Sequence, residues 1–359
     1  MVDGQDPCGS SVDATLDAPA PQHMLDTVAL ERYLAVQVQG FSGPLTVLQY
    51  RGGQSNPTYA LRTPRAHFVL RKQPPGTLLP SAHAVDREYR ILSALHASDV
   101  PVPRVLAFCD DRSVIGTPFY VMEHLNGRIF RNPHLPDLTP TERRDVFLCE
   151  IDTLAALHKV DIAAVGLSDF GRHGQYVQRQ MKRWTMQYAD AALHPVADMD
   201  FLGDWLARHM PEADFTTIAH GDFRLANLVY SVDAPRVIGV LDWELATLGH
   251  PLADLAYCCL VFNVSLLTQP GFTETGLPEG VPPEAELVDR YAAATGRRVS
   301  ADEWRFYRAF SLFRLAAISA GVYRRGLSGN ASSETALRFQ EILLATAKAG
   351  ANIARGAQG

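Results

Sequence analysis

Hydrophobic patterning changes its period about one third of the way along this chain. Between about residues 24 and 121, short apolar runs alternate with turn-forming residues, and one strong helical repeat interrupts them. After about residue 138, apolar residues recur at the three-to-four spacing of amphipathic helices. The chain has 359 residues, which exceeds the usual size of a single domain core. We therefore expect an α+β, bilobal fold, in which a small antiparallel-sheet lobe precedes a larger, mostly helical lobe.

Turn residues divide the first lobe into separate elements. Five runs with apolar residues, bounded by Gly, Asn, Asp or Pro, are expected to form strands: 45–53, 56–63, 67–76, 105–111 and 117–125. The segment at 81–98 has a helical repeat, and Ser81 is the expected cap at its start. In that helix, Glu88 shares the inward face with the apolar Ile91.

Asn126 and Gly127 interrupt the patterning and mark the expected boundary between the lobes. We expect residues 26–125 to form the first lobe and residues 126–359 the second. Residues 1–25 have neither a basic start nor a long apolar stretch. They are therefore expected to be a flexible tail rather than a targeting segment.

The charge and the cysteine content argue against several classes of partner. The formal net charge is −6, whereas nucleic acids and anionic lipid surfaces bind basic faces. The most apolar segments are short or interrupted by polar residues, so no membrane span is expected. The five cysteines are scattered and form no Cys-x-x-Cys pair, which is typical of reduced thiols. We expect a cytoplasmic chain without a nucleic-acid or membrane partner.

Two polar segments in the second lobe carry the strongest chemical signal. The sequence His-Gly-Asp-Phe-Arg-Leu-Ala-Asn spans residues 220–227, and Val-Leu-Asp-Trp-Glu spans residues 240–244. Carboxylate and amide oxygens bind Mg2+ against phosphates, and a carboxylate can take the proton of an attacking hydroxyl. Asp222, Asn227 and Asp242 meet these needs together. Each of them alone would more often be a turn residue that satisfies backbone groups.

The first segment resembles the H-R-D-x-x-x-x-N catalytic loop of protein kinases, with Gly221 in place of the arginine. Its His-Gly-Asp form is similar to that of the aminoglycoside phosphotransferase and choline kinase family. The resemblance implies a protein-kinase-like fold and ATP-dependent, Mg2+-assisted phosphorylation of a hydroxyl group on a small molecule. It implies that Asp222 is the catalytic base and that Asn227 and Asp242 bind Mg2+. It also implies that Arg224 meets the transferred phosphate, while the alternative is an ordinary surface or lobe-packing arginine.

The same resemblance implies a cation on a strand of the first lobe and an acid on the following helix. Glu88 is the expected acid. Side chains of a strand alternate between its two faces, so Arg71 and Lys72 point in opposite directions. The apolar-x-apolar-cation pattern favours Arg71, which can bind phosphate bidentately, while Lys72 would serve if the strand slipped by one residue.

Two further segments of the first lobe match nucleotide-binding parts of the kinase fold by their position. Residues 51–59 stand where the family has its phosphate-covering loop, and Ser55 could contact phosphate oxygens there. Without that position, the same residues would be an ordinary hairpin turn. Residues 119–125 resemble the hinge that binds adenine through backbone atoms. The implied contacts are the carbonyl of Glu123 and the amide of Leu125.

Residues 71–83 and 245–255 resemble, more narrowly, the phosphotransferase-like domain that is fused to acyl-CoA dehydrogenases in some eukaryotic proteins. This implies a hydroxyacyl-CoA as a candidate acceptor and a functional link to acyl-CoA metabolism. Two alternatives stay open from the sequence: a catalytically silent nucleotide-binding scaffold, and an acyl-CoA dehydrogenase-related role by association only. Within the second run, Asp254 is expected to support the structure rather than to bind metal. His220 is likewise expected to be a scaffold residue.

Overall fold

The computed structural model describes residues 10–12, 16–51, 56–74, 84–212, 215–265, 271–273, 275–327 and 333–356. The elements up to residue 129 are β1 (Ser10–Ser11), β2 (Leu16–Asp17), α1 (Thr27–Gln37), β3 (Thr46–Tyr50), β4 (Thr58–Arg62), β5 (His67–Lys72), α2 (Val85–Leu95), β6 (Val105–Cys109), α3 (Arg112–Ile115), β7 (Phe119–Glu123) and β8 (Arg128–Ile129). The later elements are α4 (Pro140–His158), α5 (Tyr176–Ala191), α6 (Ala197–Arg208), β9 (Thr217–Ala219), β10 (Leu228–Tyr230), β11 (Val237–Val240), β12 (Thr247–Gly249), α7 (Pro251–Cys258), α8 (Glu284–Thr295), α9 (Ala301–Arg325) and α10 (Ser333–Ala354).

Six strands of the first lobe form one antiparallel sheet in the order β2-β3-β4-β5-β7-β6. Because β5 is central, alternate side chains along it enter different cores. Leu70 packs in the core that contains Leu30 and Leu34 of α1, whereas Val69 belongs to the core that continues into the second lobe. The alternation therefore places Arg71 on the side of the sheet that faces the second lobe.

The second lobe is built around α9, which packs against α5, α6, α7 and α10. Capping boxes begin α4, at Thr139 and Glu142, and α9, at Ser300 and Glu303. Two small sheets, β1-β8-β10-β11 and β12-β9, hold the loops that carry the polar segments. Within the described ranges, every helix is too short or too polar to cross a bilayer.

The structure confirms the α+β, bilobal arrangement, and each of the five predicted strand runs contains a strand. It adds α1, which the sequence patterning did not reveal because only Leu30 and Leu34 of that helix are buried. Helix α2 begins at Val85, and Ser81 lies outside the described residues. In the segment expected to be a tail, β2 pairs with β3.

Glu150 of α4 is a carboxyl group in the core of the second lobe. Its side chain is buried, and burial raises the pKa of Glu150 to about 8 from its ordinary value of 4.5, against a lowering contribution from a hydrogen bond with Cys258. Between these two values the unfolded chain releases a proton that the native state retains. The free energy of unfolding therefore falls as the pH rises through this window, and the loss levels off above about pH 8.

We predict that Glu150→Gln removes this penalty. The variant should exceed the wild type in free energy of unfolding by up to about 5 kcal/mol at about pH 9, and should match it near pH 4. Urea denaturation across this pH range measures the difference. Glu341→Gln, on the exposed surface of α10, is the matched control and should follow the wild type at every pH. If the difference in free energy of unfolding between Glu150→Gln and the wild type is the same at every pH, the pKa of Glu150 is not raised.

Candidate active site

The loop between β9 and β10 contains His220 at a fully buried position. Its Nε2 donates to the carbonyl of Leu241 at 2.9 Å, and its Nδ1 accepts from the amide of Asp222 at 3.2 Å. These two contacts require a ring that carries its proton on Nε2. The ring also lies 4.7 Å from that of Trp243. His220 is therefore a scaffold that joins the loop to the end of β11, as the sequence indicated.

Asp254, in the first turn of α7, fixes the backbone of this loop. Its two carboxylate oxygens accept from the amides of His220, at 2.6 Å, and Gly221, at 2.9 Å. Asp254 is only 2% exposed. Burial acts to raise the pKa of Asp254, but the His158 hydrogen bond, nearby imidazoles and the Gly221 amide outweigh it and lower the pKa below its ordinary value. The buried carboxylate is thus a stable acceptor for two loop amides.

Gly221 has a positive φ of 85° and close neighbours. A Cβ atom at this position would lie 2.9 Å from the carbonyl oxygen of Leu245, so both the backbone conformation and the space favour glycine. Its carbonyl accepts from Nη2 of Arg314 at 2.6 Å. Arg314 comes from α9, is buried, and lies 4.7 Å from the ring centroid of Tyr257.

Asp222 follows at the tip of the loop with a side chain that is 17% exposed. Asn227 donates through Nδ2 to the Asp222 carboxylate, at 2.9 Å, and to its carbonyl, at 2.8 Å. The amide oxygen of Asn227 is therefore the atom that is left for a cation. Arg224 lies 3.3 Å from the same carboxylate through Nε. Burial raises the pKa of Tyr257, and its proximity and hydrogen bond to the charged Asp222 raise it further.

Asp242 occupies the second position after β11 and has left-handed backbone angles, φ 65° and ψ 58°. Asp is one of the few residues other than glycine that tolerate this region, and such positions are concentrated at functional sites. The amide of Leu241 donates to the carbonyl of Asn227 at 2.8 Å. This contact places Asn227 and Asp242 side by side, as oxygen ligands for one Mg2+ ion would need to be.

Arg71 joins the first lobe to this loop. Its Nη2 lies 2.7 Å from Oδ1 of Asp242 and 3.4 Å from Oε2 of Glu244, while its Nε lies 3.1 Å from Oε2 of Glu88 as an ion pair without hydrogen-bond geometry. Only 12% of the Arg71 side chain is exposed. Burial acts to lower the pKa of Arg71, but the charges of Glu88 and Asp242 raise it, so the guanidinium stays charged.

Glu88 is buried in α2 and has two further partners. Asn56 donates to its Oε1 at 2.6 Å, and the hydroxyl of Tyr120 donates to its Oε2 at 3.0 Å. Burial raises the pKa of Glu88, while the charge of Arg71 and these hydrogen bonds oppose the rise. Lys72 lies on the opposite face of β5, where it is 6% exposed and burial lowers its pKa. The structure therefore brings Arg71, and not Lys72, to the polar segments.

A cleft of about 190 Å3 lies between the lobes at this point. Its polar lining includes Arg71, Asn227 and Asp242. Glu123 and Leu125 of the expected hinge also line it. Its apolar walls come from both lobes and include Val69, Met122, Ile129, Val229 and Val240. Ser55 lies outside the described residues, and its phosphate contact stays a prediction.

Five residues of this site have contacts that the motifs did not reveal: Asn56, Tyr120, Glu244, Tyr257 and Arg314. Glu244 directly follows the Asp-Trp pair and could have been found by its charge. The others belong to elements far from the catalytic loop in the chain. Within the described residues, no group of three or more His, Cys, Asp or Glu side chains is arranged to bind a metal by itself. A cation at Asn227 and Asp242 would therefore need oxygen ligands from a phosphate.

Comparison with known proteins supports the family resemblance. A model of the phosphotransferase enzyme family matches residues 46–310. Acyl-CoA dehydrogenase family member 11 of Homo sapiens is 41% identical over 356 residues, which cover 97% of this chain and 45% of the human protein. This chain thus spans less than half the length of that relative.

Solved structures agree with this result. A provisionally assigned aminoglycoside phosphotransferase from Ralstonia eutropha JMP134 is 42% identical, with a TM-score of 0.84, and the match covers 94% of this chain and 100% of that one. A thermostable mutant of the aminoglycoside phosphotransferase APH(4)-Ia, in a ternary complex with AMP-PNP and hygromycin B, is 15% identical, with a TM-score of 0.60, and the match covers 92% of this chain and 99% of that one. At that identity the second structure supports the fold alone. The expected kinase-like, bilobal fold is confirmed.

We predict that Arg71 and Lys72 differ in their effect on nucleotide binding. Arg71→Lys retains a charge but loses the fork that reaches Glu88 and Asp242 together, so it should weaken ATP binding by about tenfold or more. Lys72→Met should change ATP affinity by less than about twofold, because Lys72 faces the other core. Isothermal titration with ATP and Mg2+ measures both. The reverse order of effects would show that Lys72 is the phosphate-binding cation.

Proposed function

Since this chain belongs to the phosphotransferase enzyme family, we propose that it transfers the γ-phosphoryl group of ATP to a hydroxyl group of a small molecule. One observation carries the proposal. Arg71 of the first lobe and Asn227 and Asp242 of the second meet at one end of the interlobe cleft, and Asp222 is hydrogen-bonded to Asn227. A carboxylate, two oxygen ligands and a cation are the set that phosphoryl transfer requires.

In this proposal, Asp222 accepts the proton of the acceptor hydroxyl. The hydroxyl oxygen then forms a bond to the γ-phosphorus, the bond to the β–γ bridging oxygen breaks, and ADP leaves with that electron pair. Arg224, 3.3 Å from Asp222, is placed to contact the transferred phosphoryl group. Asn227 and Asp242 would bind Mg2+, which when present neutralises the charge of the phosphates.

The first lobe would bind the nucleotide. Arg71, held by Glu88, is the proposed partner of the α- and β-phosphates, and Ser55 keeps its predicted role at the phosphate-covering loop. The apolar walls of the cleft suit the adenine ring, with the Glu123 carbonyl and the Leu125 amide as proposed hydrogen-bonding groups.

The surroundings of Asp222 favour an anionic acceptor. Arg224 of the catalytic loop lies 3.3 Å from the Asp222 carboxylate, and Arg314 donates to the Gly221 carbonyl. Arg183 lies 4.8 Å from the ring centroid of Trp184, on which Arg314 also packs. These guanidinium groups would repel the ammonium groups of an aminoglycoside near Asp222. A hydroxyacyl-CoA carries phosphates and is the acceptor we propose. The naming of a 41% identical relative as an acyl-CoA dehydrogenase family member supports a link to acyl-CoA metabolism.

A catalytically silent nucleotide-binding protein is the second candidate. The observation in its favour is the arginine at position 71, where the kinase pattern has lysine. The two candidates differ in one measurable outcome, because a silent protein would bind ATP without forming a phosphorylated product from any acceptor. A role in acyl-CoA dehydrogenation rests on the association with the relatives alone.

We predict that purified protein with ATP and Mg2+ phosphorylates a member of a panel of hydroxyacyl-CoAs, aminoglycosides, choline and amino alcohols, with hydroxyacyl-CoAs most active. Asp222→Asn should reduce turnover by about 100-fold or more while retaining ATP binding, because proton transfer is lost and the cleft is intact. ADP release and product mass measure this. Asp233→Asn, an exposed aspartate in the β10–β11 turn, is the matched control and should behave as wild type.

Turnover that survives Asp222→Asn unchanged would overturn the assignment of the base. ATP binding without product across the whole panel would favour the silent protein.

A further inference from the structure

A second cavity lies in the second lobe, on the far side of Asp254 from the catalytic loop. It has a volume of about 630 Å3 and is formed where the end of α4, the start of β9, the end of α8 and the start of α9 meet. We call it the rear cavity. It is lined by His158, Lys159, Phe215, Thr216, Thr217, Pro251, Tyr291, Thr295, Gly296, Arg297, Arg298 and Glu303. None of these residues lines the nucleotide cleft.

The lining of the rear cavity is cationic, although the whole chain has a net charge of −6. Lys159, Arg297 and Arg298 face a single carboxylate, Glu303. One oxygen of Glu303 already accepts from the amide and the hydroxyl of Ser300 in the capping box that begins α9. The positive charge of the cavity therefore exceeds what its own carboxylate can balance.

Arg297 is held in place but is not saturated with hydrogen bonds. Its guanidinium carbon lies 4.0 Å from the ring centroid of Phe215, which fixes the plane of the group. Its Nη2 is 3.5 Å from Glu303, an ion pair without hydrogen-bond geometry, and its Nε has no hydrogen-bond partner within the described part of the chain. A planar, ordered guanidinium with open donors is suited to a tetrahedral oxyanion such as phosphate.

The rear cavity connects to the catalytic loop through three side chains. The hydroxyl of Tyr291 lies 2.6 Å from Nδ1 of His158, and Nε2 of His158 lies 3.5 Å from Oδ2 of Asp254. Asp254 in turn accepts from the amides of His220 and Gly221. His158 and Tyr291 both line the cavity. A continuous series of polar contacts thus links an anion bound in the rear cavity to the backbone of the catalytic loop.

We propose that the rear cavity is a binding site for a small phosphate-bearing anion, and that its occupancy stabilises the catalytic loop through Tyr291, His158 and Asp254. Burial raises the pKa of the Tyr291 hydroxyl, so this group keeps its proton, donates to Nδ1 of His158 and leaves the Nε2 proton directed at Asp254. Tyr291 and His158 line the cavity together with Arg297. An anion held by Arg297 therefore orders the wall from which this series of contacts begins.

Binding is tested with inorganic phosphate by isothermal titration against chloride at equal ionic strength. The wild type should bind phosphate, and Lys159→Ala/Arg298→Ala should bind it about tenfold more weakly, because two exposed cations of the site are removed. The matched control is Arg32→Ala/Arg112→Ala, which removes two exposed arginines from the first lobe and should bind as wild type. Equal affinity in the Lys159/Arg298 variant and the wild type, or no binding beyond chloride, would overturn the site.

The connection to the loop is tested by hydrogen exchange, which needs no enzymatic activity and so stands apart from the proposed function. Phosphate should slow exchange of the loop amides at 219–228 in the wild type. Tyr291→Phe retains the ring and all three cations, so it should bind phosphate normally but show no slowing in the loop. If phosphate leaves amide exchange in the loop of the wild type unchanged, or slows it equally in Tyr291→Phe, the connection through Tyr291, His158 and Asp254 is wrong.

Discussion

A single buried guanidinium, that of Arg71, connects the two lobes of this protein through ion pairs. Arg71 comes from the central strand of the first lobe and meets Glu88 of its own lobe and Asp242 and Glu244 of the other. Breaking a buried pair of this kind typically costs about 3 to 5 kcal/mol, because a charge is left without a partner. Three carboxylates surround this one cation. The excess of negative charge beside Asn227 is itself a reason for a divalent cation to bind there.

The catalytic loop has a different kind of support, since its backbone is held largely by side chains from elsewhere. Asp254 accepts two loop amides, Arg314 donates to the Gly221 carbonyl, and His220 ties the loop to β11. These contacts leave the Asp222 carboxylate accessible at the tip while the backbone beneath it is fixed. Because other side chains fix the loop backbone, the Asp222 carboxylate can be positioned precisely and still be reached by a substrate.

The parts of this site that lie within short segments could be predicted from the sequence, and those that depend on long-range packing could not. The alternation of side chains along a strand is enough to place Arg71 and Lys72 on opposite faces of β5. The helical spacing is enough to place Glu88 on the buried face of α2. By contrast, Arg314 contacts a residue 93 positions away, and nothing in the α9 repeat distinguishes it from other arginines. The left-handed angles of Asp242 are also invisible in the sequence, because aspartate adopts many conformations and glycine would have been the expected residue.

Gly221 also restricts how this protein could have changed over time. Protein kinases have arginine at the corresponding place, but here any side chain would meet the Leu245 carbonyl in a backbone conformation that disfavours it. A substitution of Gly221 by arginine alone would therefore strain this loop, unless the segment around Leu245 moved as well. Exchanging one version of the loop for the other would therefore require at least two coupled substitutions. In this chain, an arginine that contacts the loop comes from α9.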